Sequence, residues 1–249
     1  MITDALVYAG ASLYGTGRTL DQLLAAAREA GVGHVVAAPA KPRDYDLAGA
    51  SERLADECGA SAGRAVCLAR LDPWQDDAAD RLAALLDHPA VRGLLLHPWE
   101  ETFPANSDRA VALAGAAAAR GYPVLVEAGH PLVAEALSLS DLARRVDGTV
   151  VMTRGGQVNM AGLAQQSADL ALAAAPNLCA LSAGMYRQDW LESCVRQFGA
   201  ARLLYGSCAP VFDLGYEVQR VHRAQMDDDA RAAVLGANAA ALFGIATEG

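Results

Sequence analysis

The chain has 249 residues, 53% of them hydrophobic, which is enough to bury a large core and suits one barrel-sized domain over 1–249. A formal charge of −9, with 29 acidic against 20 basic residues and no basic run, argues against nucleic acid or anionic membrane as partners and favours a small-molecule ligand. Cys58, Cys67, Cys179, Cys194 and Cys208 show no C-x-x-C spacing, and MITDALVYAG carries no basic leader or long apolar core, so a reducing cytoplasm is expected and secretion or membrane spanning is not.

Short Val- and Leu-rich runs alternate with stretches of helix length along the whole chain. In chain order the predicted strands are ALVYA (5–9), HVVAA (34–38), RAVCLAR (64–70), RGLLLH (92–97), PVLVEA (123–128), TVVMT (149–153), LCALS (178–182) and RLLYG (202–206). Thr19 and Ser107 are placed to cap the helices that follow them, while Gly31, Gly59, Gly121 and Gly199 are placed to stop helices. Eight apolar strands separated by helices predict a parallel sheet closed into a (β/α)8 TIM barrel. An open doubly wound sheet is the structural alternative, and no G-x-G-x-x-G follows the first strand to support it.

A barrel carries its functional groups at the C-terminal strand ends and on the loops beyond them. That rule selects Tyr8, Pro39, Arg70, Asp72, His97, Glu127, His130, Arg154, Ser182, Cys208 and Asp213. Tyr14, Trp74, Trp99, Phe103 and Tyr186 add aromatic surface near the same mouth, and PWEETFPANS (98–107) is the candidate lid. His34, His88 and His222 fall away from the mouth.

ITDALVYAG, LDQLLAAAREAGVGHVVAAP, LARLDP, GLLLHPW, GYPVLVEAG, VVMTRGG, RLLYGSCAP and VLGANAAALFGI occur in this order and resemble the amidohydrolase-related proteins of the metal-dependent hydrolase superfamily. The resemblance implies a divalent-metal site built from a His-x-His pair on the first strand, a histidine ending each of the fifth and sixth, and an aspartate ending the eighth. At the matching positions stand Leu6 and Tyr8, Glu127, Arg154, and Cys208. Leucine offers no donor and arginine is a fixed cation, so no metal ligand and no cofactor are expected.

Glu127 and Arg154 end adjacent strands and are expected to pair. One reading is a structural ion pair. The other is catalytic: Arg154 clamps an anion, Glu127 moves a proton, His97 and His130 are proton carriers, and Cys208 is either a buried apolar residue or a nucleophile. A hybrid metal site of His97, Glu127 and Cys208 is a further alternative that needs Arg154 displaced. The resulting expectation is a metal-independent hydrolase or lyase for a small carboxylated or carbonyl-bearing substrate. Catalysis falls to Glu127, Arg154, His97 and Cys208, and substrate contact to Tyr8, Tyr14, Trp99, His130 and Tyr186. The alternative is a catalytically silent relative that binds a small ligand or supports a partner subunit, and a homo-oligomer is left open.

Overall fold

The computed structural model describes residues 1–156, 162–185 and 187–246. Tyr186, expected to touch substrate, lies outside the described residues. Eight strands form one parallel sheet in chain order: β1 (Ile2–Ala9), β2 (Val32–Pro39), β3 (Ala65–Arg70), β4 (Val91–Leu96), β5 (Val124–Val126), β6 (Val150–Met152), β7 (Leu178–Leu181) and β8 (Leu203–Leu204). Backbone bonds from Ala5 N–H to Tyr205 O (3.0 Å), Cys208 N–H to Leu6 O (2.8 Å) and Tyr8 N–H to Ala209 O (2.7 Å) join the last strand region to the first. The architecture is a (β/α)8 barrel, as the alternation implied, and not an open sheet.

The helices are α1 (Leu20–Glu29), α2 (Leu47–Gly59), α3 (Ala78–Leu86), α4 (Pro98–Glu101), α5 (Asp108–Ala119), α6 (Ala136–Arg144), α7 (Gly162–Ala174), α8 (Asp189–Phe198), α9 (Leu214–Arg223), α10 (Asp228–Ala232) and α11 (Asn238–Phe243). Thr19 forms a reciprocal capping box with Gln22, and the Ser107 hydroxyl accepts from Ala110 N–H, so both expected caps are present. Gly31 and Gly121 take positive φ just after their helices. Gly59 differs from expectation, because it is the last helical residue of α2 and the left-handed turn falls at Ala62 and Gly63. Among the described residues no helix is long and apolar enough to cross a membrane.

The period-2 alternation of the strands separates two apolar layers. Leu6, Val36, Leu68, Leu95, Leu125, Val151 and Leu204 pack together inside the barrel. Val7, Val35, Cys67, Leu94, Val124, Val150 and Leu203 face the helices. All five cysteines are free and buried.

Two strands stop earlier than their apolar runs because side chains replace the ladder. Past β5, Ala128 N–H donates to Thr153 Oγ1 at 3.0 Å. Past β8, Ser207 N–H donates to the carboxylate of Asp4 at 2.8 Å. Both substitutions lie on the path to the barrel mouth.

Candidate active site

Continuing the inward alternation beyond the apolar layer places Tyr8 after Leu6, Arg70 after Leu68, His97 after Leu95, Glu127 after Leu125 and Thr153 after Val151. Glu127 is the centre of this polar layer and has no solvent exposure. Its Oε2 accepts from the Tyr8 phenol and from the Thr153 hydroxyl, each at 2.8 Å. Arg154 Nη2 lies 2.5 Å from Oε1. Arg154 is one residue out of phase with the strand, and its left-handed backbone (φ 52°) carries the guanidinium to the carboxylate. Phe212 lies under the guanidinium, 5.5 Å from ring centre to Cζ. Even so, Arg154 Nε is buried without a hydrogen-bond partner, so the guanidinium is incompletely satisfied.

Above this layer lies a pocket of about 340 Å³, lined in part by Tyr8, Tyr14, His97, Trp99, His130 and Arg154. Lys41, Arg70 and Glu100 form one wall. Arg70 is buried and donates through Nη1 to Pro39 O (3.0 Å) and through Nη2 to Glu101 Oε1 (2.8 Å) and to the Glu100 carboxylate. Lys41 donates to Glu100 O and lies 3.5 Å from Glu101 Oε1. Burial opposes the charges of Arg70 and Arg154, but Glu101 and Glu100 for the former and Glu127 for the latter hold both above the usual arginine value. Both remain cations.

His97 caps α4, with Nδ1 accepting from Glu100 N–H at 3.2 Å, so the neutral ring carries its proton on Nε2. Burial first, then Arg70 and Arg154, push His97 well below the ordinary histidine range. Burial and Arg154 also lower His130, whose ring stacks on Trp99 at 4.5 Å and 5°. Burial and the Glu127 carboxylate raise the Tyr8 phenol well above its usual value, so it stays protonated and donates.

The structure thus gathers Tyr8, His97, Glu127 and Arg154 at one centre, with Tyr14, Trp99 and His130 at the rim. Three expectations change. Cys208 is completely buried among apolar side chains, and burial together with Glu127 raises its thiol well above the ordinary value. It is a protonated packing residue, which opposes the nucleophile reading. Glu127 is covered by Tyr8, Thr153 and Arg154, so its contact with a ligand runs through those groups. The 98–107 segment is no free lid, because Phe103 and Ala105 are fully buried and Asn106 bonds Asp141. Arg70 was selected at its strand end but given no role, while Thr153 and Lys41 were missed. Strand parity signals Thr153, which follows Val151 by two residues, whereas Lys41 reaches the pocket from a loop that parity cannot read.

The side chains do not fit the divalent ion that the resemblance implies. Leu6 has no donor, Arg154 sets a guanidinium against Glu127, and among the described residues no three His, Cys, Asp or Glu side chains converge on a point.

A parallel barrel with a polar, ligand-sized pocket over its C-terminal strand ends defines the class of protein. The amidohydrolase family model Amidohydro_2 matches residues 8–245, and the chain belongs to that family. No curated protein matches it significantly. Among solved structures it is similar to 5-carboxyvanillate decarboxylase from Sphingomonas paucimobilis, at TM-score 0.75 and 16% identity over 98% of this chain and 99% of that one. A protein assigned as 2-pyrone-4,6-dicarboxylic acid hydrolase from Pseudomonas putida gives 0.77 and 18% over 99% and 98%. Dihydroxybenzoic acid decarboxylase from Polaromonas sp. JS666, with bound manganese and 2-nitroresorcinol, gives 0.75 and 12% over 98% and 96%. At these identities the likeness concerns the fold.

Proposed function

We propose that this protein is an enzyme acting on a small planar substrate bearing a carboxylate or carbonyl, by hydrolysis or by a lyase step such as decarboxylation, without the family's divalent metal. The observation that carries this reading is the Arg154–Glu127 pair beneath a ligand-sized pocket. Arg154 is the anion clamp, since its guanidinium lines the pocket, is 14% exposed, and can donate a charge-assisted bond when a carboxylate or developing oxyanion arrives. Tyr8 touches both the pocket and Glu127, so a proton moves between substrate and Glu127 through the phenol. His97, kept neutral, supplies an Nε2–H donor, and the Trp99–His130 stack offers a planar surface for the ring. The buried free cysteines accord with a reducing cytoplasm as its location.

The neighbours' names set the test panel: 5-carboxyvanillate, 2,6-dihydroxybenzoate and 2-pyrone-4,6-dicarboxylate, assayed for carbon dioxide release or ring opening with a chelator present. Turnover of a member of this class with well under one equivalent of metal is expected, and Arg154→Met lowers it by about 10²–10³-fold. A stoichiometric tightly held zinc or manganese, or activity that vanishes on chelation and returns with manganese, sinks the proposal.

One observation favours the silent-binder reading. Glu127 has no exposure and is gripped by three neighbours, as a purely structural residue would be. Glu127→Gln separates the two: lost turnover with an unchanged melting temperature supports catalysis, whereas lost stability with unchanged ligand binding supports a scaffold.

A further inference from the structure

Two arginine–glutamate pairs border the mouth pocket and face it in opposite senses. Where β5 and β6 end, Arg154 is 14% exposed and its partner Glu127 is sealed behind it. Where β3 and β4 end, the order reverses, with Arg70 at 1% and Glu100 at 14%. Arg154 and Glu100 both line the pocket. Each pair is neutral as a whole, so a ligand responds to whichever partner stands in front. It meets a cation on the Arg154 wall and a carboxylate on the Glu100 wall.

The cations behind Glu100 are already committed. Arg70 donates to Pro39 O, Glu101 and Glu100, and Lys41 donates to Glu100 O and pairs with Glu101. Glu100 itself keeps an open acceptor. Its Oε2 takes Arg70, while Oε1 has His97 Nε2 at 3.7 Å, beyond hydrogen-bond range. Oε1 is not among the sealed, unpartnered atoms of the described residues, so solvent or a ligand reaches it. His97 lines the mouth pocket and not the neighbouring cavity beside α2 and α3, which places Oε1 on the mouth side.

We propose that Glu100 is a specificity-determining residue: while Arg154 holds the carboxylate of the substrate, Glu100 Oε1 accepts from a hydroxyl or amino group elsewhere on it and disfavours a second carboxylate there. This rests on Arg154 as the anion clamp. A donor at Oε1 gains a charge-assisted hydrogen bond, whereas a second carboxylate would meet a like charge with no uncommitted cation beside it.

Calorimetric titration with benzoate, 3- and 4-hydroxybenzoate, 3- and 4-aminobenzoate, isophthalate and terephthalate tests both walls. The best hydroxyl or amino analogue is expected to bind at least about tenfold tighter than benzoate, the effect of one hydrogen bond to a charged group, and the dicarboxylates no tighter than benzoate. Glu100→Gln inverts the wall, because Arg70 has only donors and draws the amide oxygen, leaving the NH2 group toward the pocket. In that variant the donor analogues are expected within about threefold of benzoate and the dicarboxylates above it, an inversion that mere loss of structure does not produce. Arg154→Met separates this inference from the reading beneath it. Benzoate binding that Arg154→Met abolishes, without any donor preference in the wild type, overturns the role of Glu100 alone. A donor preference unchanged in Glu100→Gln does the same. Binding absent across the series, or indifferent to Arg154→Met, overturns both the role of Glu100 and the clamp.

Discussion

Asp4 offers a quantitative test of how the barrel is closed beneath the site. Its carboxylate has no solvent exposure, and Oδ1 accepts from Leu6 N–H at 3.1 Å and Ser207 N–H at 2.8 Å, across the seam that also positions Tyr8. Burial raises its pKa from 3.8 to about 6, against the opposing effect of its bonds to Ser207, Leu6 and Tyr205. Between these values the folded chain keeps a proton that the unfolded chain releases, so this group makes stability fall as pH rises and exerts its full penalty above pH 6. At about 1.4 kcal/mol per pH unit, the penalty at neutral pH is about 3 kcal/mol. Asp4→Asn keeps the Oδ1 acceptor for both N–H groups and removes the charge, but it leaves one amide N–H poorly satisfied at a cost of about 1–2 kcal/mol. The net expectation is a gain of about 1–2 kcal/mol near pH 7.5 and no gain near pH 4.

Urea unfolding of wild type and variant from about pH 4 to 8 measures this. Taking the difference between the two cancels groups common to both. His97 is one such group: because its folded pKa is lowered, it makes stability fall as pH drops below about 6.5. Asp4→Ala, which removes the carboxylate acceptor of both backbone N–H groups, is expected to lose about 2–5 kcal/mol. A variant difference that does not change with pH, or an Asn variant less stable than wild type near pH 7.5, would refute the reasoning.

Further outcomes follow from the same environments. Tyr8→Phe removes the pocket-lining hydroxyl that bonds Glu127 Oε2 and should lower turnover by about 10²–10⁴-fold with little change in melting temperature, read by steady-state kinetics and calorimetry. Cys208→Ser should leave turnover within about twofold and resist no thiol reagent better than wild type, because the native thiol is buried and protonated; abolished activity would restore the nucleophile reading. No acid limb near pH 6.5 should arise from His97, whose protonation lies well below that pH, and a pH–rate profile checks it. Phe103→Ala should cost about 3–5 kcal/mol in denaturant unfolding, since the ring anchors the 98–107 segment in the core and is not part of a free lid.

The alternation of apolar strands and capped helices was enough to specify the barrel, because burying eight strands on both faces leaves few arrangements other than a closed parallel sheet. Strand ends likewise placed Tyr8, His97 and Glu127 at the mouth, since side-chain direction follows the two-residue period. What sequence left open was which groups meet and which face the ligand. Cys208 and Glu127 occupy equivalent strand-end positions along the chain, yet one lies buried in apolar packing and the other holds three polar groups together, a distinction set by the depth to which neighbouring strands cover each. Arg154 reaches Glu127 because of one left-handed backbone step, and Lys41 reaches the pocket from a loop. Periodicity sets direction along a strand, but burial, charge balance and hydrogen-bond satisfaction depend on residues far apart in sequence, so only the tertiary structure decides them.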